Sequence, residues 1–171
     1  GKSTFLKILL GLQKPNHGEL LIDTNKASEE IFLQISHKIG VIPQDPVLFQ
    51  GSILDNIVYP QKLFTPSSSD LAKAENALKK AQLHCDINSQ IYSLSGGEKQ
   101  RLMFARIFYN KPEIIIIDEG TSALDVNNEL KILTNLKNEM KNSIIFIVSH
   151  RPAIKDYADR IIDFSDFSVS L

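Results

Sequence analysis

Four consecutive isoleucines, Ile114–Ile117, run directly into Asp118-Glu119. A run this short, apolar on both faces, fits a parallel strand buried between helix layers better than it fits a helix. Ile144–Val148 is a second buried strand of the same kind and is followed by Ser149-His150. Ile39–Ile42 is a β-branched run stopped by Pro43. Between these runs the spacing turns helical. Leu71, Ala74, Leu78 and Ala81 share one face of a helix over Asp70–Leu83, Ser95 caps another running to about Tyr109, and a third covers Asn127–Lys141. Strands alternating with helices predict an α/β fold with a mostly parallel sheet flanked by helices. Ligands of such sheets sit beyond the carboxyl ends of the strands, which brings Asp118 and His150 to one place.

The rest of the chain is read more coarsely. A helix is expected over about Ser3–Leu12, closed at Gly11, then a turn over Lys14–Gly18 and a short strand over Glu19–Asp23. Residues 26–38 are polar, helical or looped. Ser52–Val58 starts a helix, Pro60–Ser69 is a loop, and Ala158–Phe164 is expected to form a further strand.

The chain of 171 residues is long enough for one domain with a real core. A net charge of −1 argues against a nucleic-acid surface and a polybasic membrane patch. The lone cysteine, Cys85, excludes an internal disulfide, and no His/Cys cluster surrounds it; a half-buried thiol in a reducing compartment is expected. No apolar run is long enough to span a bilayer, and no signal or transit peptide is visible.

Three segments carry chemistry. Gly1-Lys2-Ser3-Thr4 is the second half of a phosphate-binding loop, G-x-x-x-x-G-K-[ST]. Leu94–Arg101 reads Leu-Ser-Gly-Gly-Glu-Lys-Gln-Arg, and Ile114–Asp125 reads Ile-Ile-Ile-Ile-Asp-Glu-Gly-Thr-Ser-Ala-Leu-Asp. Each has a plainer explanation alone: a capped helix start for the first two, a charge pair at a helix N-terminus for Asp118-Glu119. In this order and spacing, with Gln100-Arg101, Ala105-Arg106 and Pro112 in register, they resemble the phosphate loop, signature motif and Walker B strand of ATP-binding-cassette (ABC) ATPases.

The resemblance implies a P-loop NTPase core with a helical signature subdomain. The whole of 1–171 is then a partial nucleotide-binding domain, with about 45–110 as the Q-loop, helical and signature region inserted in the core. It implies ATP and Mg²⁺ as ligands. Gly1, Lys2, Ser3 and Thr4 would cradle the phosphates, with Lys2 a point charge on the β- and γ-phosphates and Thr4 near the α-phosphate. Ser3, Gln44 and Asp118 would serve Mg²⁺. Glu119 would be the catalytic carboxylate, His150 the switch histidine bonded to the γ-phosphate and to Glu119, and Gln44 the sensor of metal and attacking water. Ser95, Gly96 and Gly97 would bind the γ-phosphate of ATP held by an opposing subunit, since a glycine-rich helix start offers free N–H groups to an anion. Ser122–Asp125 would be the D-loop joining the two sites. The implied partners are a second nucleotide-binding domain, identical or not, and transmembrane domains outside this chain. The ATPase would face the cytosol or a mitochondrial-type matrix.

Val47-Leu48-Phe49-Gln50-Gly51-Ser52-Ile53 and Asp55-Asn56-Ile57 resemble exporter-type ABC transporters. Val41–Asp45, Ala81–His84 and Glu98 within the signature resemble the mitochondrial and heavy-metal-tolerance half-transporters. Four departures stand out. The first part of the phosphate loop is not in this chain, so the isolated piece is expected to bind ATP poorly and to be inactive. Only Cys85–Ser93 separate His84 from Leu94, where exporters carry a longer stretch. Gly120 stands where exporters usually have alanine, a mild change. The tail after Phe164 lacks the usual glycine hairpin. The expected function is ATP hydrolysis driving export; a soluble non-transport ABC ATPase and a degenerate, non-catalytic cassette are the alternatives.

Overall fold

The computed structural model describes residues 1–61 and 65–164. Helix α1 (Lys2–Leu9) leads to a two-stranded antiparallel hairpin, β1 (Leu21–Ile22) and β2 (Asn25–Lys26), and then to α2 (Glu29–Ile35). Strand β3 (Ile39–Ile42) is followed by α3 (Ile53–Val58), α4 (Ser68–Lys80) and α5 (Gly96–Asn110). The chain returns as β4 (Ile114–Asp118), α6 (Val126–Glu139) and β5 (Ile144–Val148). The sheet order is β3-β4-β5, all parallel, with Ile42 opposite Ile117 and Asp118 opposite Val148.

The sheet runs as the isoleucines predict. Ile115, Ile116 and Ile117 are buried. Ile115 and Ile117 join the core made with α3, α4, α5 and α6, while Ile116, one residue out of phase, is buried outside that cluster. α1 packs on β4. β5 is only half-buried, with Ile144 exposed, because it lies at the edge of the described sheet. Gly40 lets α5 close on β3: a Cβ there would lie 2.4 Å from Ile107 Cδ1 and 2.7 Å from Pro112 Cγ.

Caps fix the helices. Ser52, Ser67 and Ser95 each accept from the backbone N–H of N3 and are bonded back by Asp55, Asp70 and Glu98. α4 therefore starts at Ser68, before the expected Asp70, because Asp70 is the N3 partner of the cap. α1 ends at Leu9, short of Leu12, where the chain turns through Gly11 at φ +72°. The expected strand over Glu19–Asp23 shrinks to β1, since Asp23 (φ +55°) turns the chain back into β2.

One expected element is absent. Residues 158–163 form no strand; Pro152–Tyr157 form a 3₁₀ helix before them, and Ile161 and Ile162 are exposed. A β-branched run becomes a strand only where a neighbour takes its backbone groups, and among the described residues none lies beside this one. The expectation for the tail after Phe164, and part of the Pro60–Ser69 loop, lie outside the described residues.

Candidate functional site

Parallel pairing places the ends of β3, β4 and β5 along one edge of the sheet, so Gln44, Asp118-Glu119 and His150 follow from the same edge. α1 begins there too. Its N-cap, Gly1, gives no side-chain bond and its first turn holds no acid, so the first-turn N–H groups of Lys2, Ser3 and Thr4 face outward with the positive end of the helix. Lys2 Nζ lies 3.2 Å from His150 Nε2, and the same Nε2 lies 3.4 Å from Glu119 Oε1. One nitrogen cannot serve both at once. As an acceptor it takes a hydrogen bond from the Lys2 ammonium; as N–H it donates one to Glu119. The tautomer at His150 thus decides which of the two it bonds.

Glu119 is held in an unusual backbone state, φ +50°. For a residue with a Cβ this costs on the order of 1–3 kcal/mol and persists only where surroundings fix it. Its N–H donates to Val148 O (2.9 Å) and its carbonyl accepts from Ser122 N (3.0 Å). Gly120 is no mild departure here. It is buried, and a Cβ would sit 2.6 Å from Ile42 Cγ2 and 3.0 Å from Ile117 Cγ2.

The remaining predicted residues form a second group. Ser95 begins α5, with its Oγ and N–H both donating to Glu98 (2.7 and 2.9 Å). These bonds, the side-chain one foremost, hold the Glu98 carboxyl below its ordinary range. Gly96 opens onto free space, whereas a Cβ at Gly97 would lie 3.0 Å from Ala123 O. Asp125 caps α6, accepting from Asn128 N (3.0 Å) and Nδ2 (2.6 Å), and these bonds lower its pKa, the backbone one most. Among the described residues no hydrogen bond or ion pair joins Ser95, Gly96 or Gly97 to Lys2, Glu119 or His150.

Two residues that tie the groups together, Arg151 and Glu129, were not singled out from sequence, and a third, Gln100, was named there only as part of the signature segment. Gln100, buried on α5, accepts from Ala123 N (2.9 Å). Arg151 donates to Ser122 O (2.9 Å), Leu124 O (3.1 Å) and Glu129 Oε2 (2.7 Å). Glu129 on α6 is buried. Their partners are mostly backbone atoms, which leave no pattern in a sequence; for Arg151, adjacency to His150 was the only signal. Cys85 stands apart in a cavity with Leu78, Leu83, His84 and Ile87. Burial pushes its thiol up, with Glu98 and Asp86 adding to it, so it is the inert half-buried thiol expected.

The family model for ABC transporters matches residues 1–122. This chain belongs to the ABC transporter family. It is 36% identical over 177 residues to the heavy metal tolerance protein of Schizosaccharomyces pombe, covering 97% of this chain and 21% of that protein. To ABC transporter B family member 29, chloroplastic, of Arabidopsis thaliana it is 33% identical over 172 residues, 94% of this chain and 27% of that protein. The chain thus spans 20–29% of the length of the curated relatives it matches. Among solved structures, a bacterial Atm1-family ABC exporter with ATP bound superposes with a TM-score of 0.77 at 30% identity, over 90% of this chain and 28% of that one. A dimeric ATP-binding cassette in a post-hydrolysis state, bound to ADP and Pi, gives a TM-score of 0.78 at 31% identity, over 92% and 73%. The exporter-type, heavy-metal-tolerance resemblance and the P-loop NTPase fold are borne out.

Proposed function

We propose that this chain binds and hydrolyses ATP with Mg²⁺, and that in the protein carrying it the hydrolysis drives export across a membrane. The observation that carries the reading is the convergence of Lys2, His150 and Glu119 at the start of α1, in a chain of this family. An ammonium, an imidazole and outward helix N–H groups suit a polyphosphate, and the carboxylate beside them suits an attacking water.

Lys2 and the first-turn N–H groups of Gly1–Thr4 hold the β- and γ-phosphates. Glu119 takes a proton from, or aligns, the attacking water, and His150 passes between Glu119 and the γ-phosphate by the exchange of partners its Nε2 allows. Ser3, Gln44 and Asp118 fit Mg²⁺: they offer hard oxygen donors, and none of their side chains has a hydrogen-bond or ion-pair partner among the described residues. Bound there, the ion supplies neutralising charge to the phosphate oxygens. Ser95, Gly96 and Gly97 serve the ATP of a second nucleotide-binding domain, and the D-loop over Ser122–Asp125 joins the two sites. In this reading 45–110 is the Q-loop and helical signature region of a domain spanning 1–171. Transmembrane domains are the other partner; no helix among the described residues is long and apolar enough to cross a membrane. The ATPase faces the cytosol or an organellar matrix.

Glu119→Gln tests this in the full-length protein. ATP turnover should fall by about 10²–10⁴-fold, the range for loss of a general base, while nucleotide binding by equilibrium dialysis is kept. Retained turnover overturns the catalytic assignment. Membrane spans encoded ahead of Gly1 would support the transporter over a soluble ABC ATPase, and a coding region without them would reverse that choice.

A further inference from the structure

We propose that Arg151 is a positioning residue for this site, holding His150 against Glu119 by clamping the segment 122–124. His150 itself is weakly held: its side chain is 70% exposed and its two contacts, at 3.2 and 3.4 Å, are long. The restraint lies one residue further on. The Arg151 guanidinium reaches Ser122 O, Leu124 O and Glu129 Oε2, and its backbone N–H donates to Ser149 Oγ (3.0 Å). One planar fork thus joins the loop after β5, the turn after Glu119 and helix α6. Its geometry cannot be copied by lysine, whose ammonium is a point charge on a flexible stem.

Glu129 fixes the fork. Its side chain is 2% exposed, its Oε2 takes the guanidinium, and its Oε1 has no partner. A carboxylate so buried and half-satisfied holds its one cation firmly. The turn it secures is the one that carries Glu119 at φ +50°, so the imidazole and the carboxylate are located by a common anchor. The same turn is gripped from the other side by Gln100 at Ala123 N.

The kinetic arm of the test rests on the ATPase reading; the exchange arm does not. In the full-length protein, Arg151→Lys should lower kcat about ten- to a hundredfold, the scale of a small misplacement of reacting groups, with KM for ATP unchanged, and should speed hydrogen exchange at Ala123 and Leu124. The double variant Arg151→Met/Glu129→Met removes both charges, leaves no lone buried ion, and should show the same two losses. Ile132→Val, buried on the same helix, serves as the stability control and should leave kcat alone. A wild-type kcat in Arg151→Lys, or an equal loss in Ile132→Val, overturns the proposal. If the wild-type protein turns over no ATP, the functional reading fails separately and exchange decides: faster exchange in Arg151→Lys upholds the clamp, and unchanged exchange overturns it.

Discussion

Gly120→Ala is expected to destabilise the protein although it adds one methyl group. The new Cβ would lie 2.6 Å from Ile42 Cγ2, 3.3 Å from Ile42 Cβ and 3.0 Å from Ile117 Cγ2. Both isoleucines are fully buried, on adjacent strands. Neither yields cheaply: a β-branched side chain is stiff at χ1, and rotating it only exchanges Cγ2 for Cγ1. The backbone after β4 has to move instead. Overpacking of this kind costs about 1–3 kcal/mol. Gly120 is not in the left-handed region, so alanine recovers about 0.4–1 kcal/mol by restricting the unfolded chain. The difference leaves a net loss of up to about 2.6 kcal/mol. Urea unfolding followed by far-UV circular dichroism should show a lower midpoint with an unchanged slope. Ile42→Ala alone should cost about 2–5 kcal/mol through its cavity. In the double variant the new methyl enters that cavity, so its loss should be smaller than the sum of the two single losses by about 1–2 kcal/mol. A Gly120→Ala midpoint at or above wild type, or strict additivity, would refute the reasoning.

Two further predictions concern the helices around the site. Glu98 and Asp125 have pKa values lowered by the bonds they accept at the starts of α5 and α6; groups of this kind contribute stability that is present above their unfolded pKa and is lost as pH falls through the folded one. The urea midpoint should therefore drop on acidification through the carboxylate range, and Ser95→Ala, which removes the hydroxyl of one capping box, should flatten that drop while costing about 1 kcal/mol at neutral pH. Arg106 donates to Asn56 O (2.8 Å) and, at 3.4 Å, to Val47 O and Asn56 Oδ1, and lies over the Phe49 and Tyr59 rings; Arg106→Lys should cost about 1–3 kcal/mol in thermal unfolding, and an unchanged melting temperature would show those contacts to be passive.

What could be read from the residues, and what could not, divides along physical lines. Consecutive isoleucines have no other economical place than a sheet covered on both faces, so β4 and its carboxyl end were legible. Ser95 before a glycine pair and a glutamate three places on is a cap with local chemistry, legible for the same reason. The start of α4 was read two residues late because the cap and its N3 partner are both polar residues of a Ser/Asp run; the structure puts the cap at Ser67, with Asp70 bonded back to it. Ala158–Phe164 misled because a β-branched pair carries a preference but no partner. The Glu119 backbone angle was invisible, since it follows from bonds to Val148 and Ser122 rather than from residue type. The grip of Gln100 and of Arg151 on this turn was invisible because both hold backbone atoms that any residue at 122–124 would present.

That last point bears on how α5 is connected to the turn after β4. The turn after β4 has little apolar anchorage of its own, with Leu124 its one buried hydrophobic side chain. Its shape is held by hydrogen bonds drawn from different elements: Glu119 N to β5, Ser122 N and Leu124 N within the turn, and Ala123 N to Gln100 on α5. Gly97 on the same helix meets Ala123 O closely enough to exclude a Cβ without a shift. The helix that begins at Ser95 therefore touches the turn at both the amide and the carbonyl of one residue. A small movement of the first two turns of α5 cannot leave Ala123 in place. The same turn carries Glu119 at φ +50°, so such a movement is expected to be felt there. Loosening Gln100 should accordingly weaken the coupling while leaving Glu119 and His150 side by side, because their proximity is set by the parallel pairing of β4 and β5 and by Arg151.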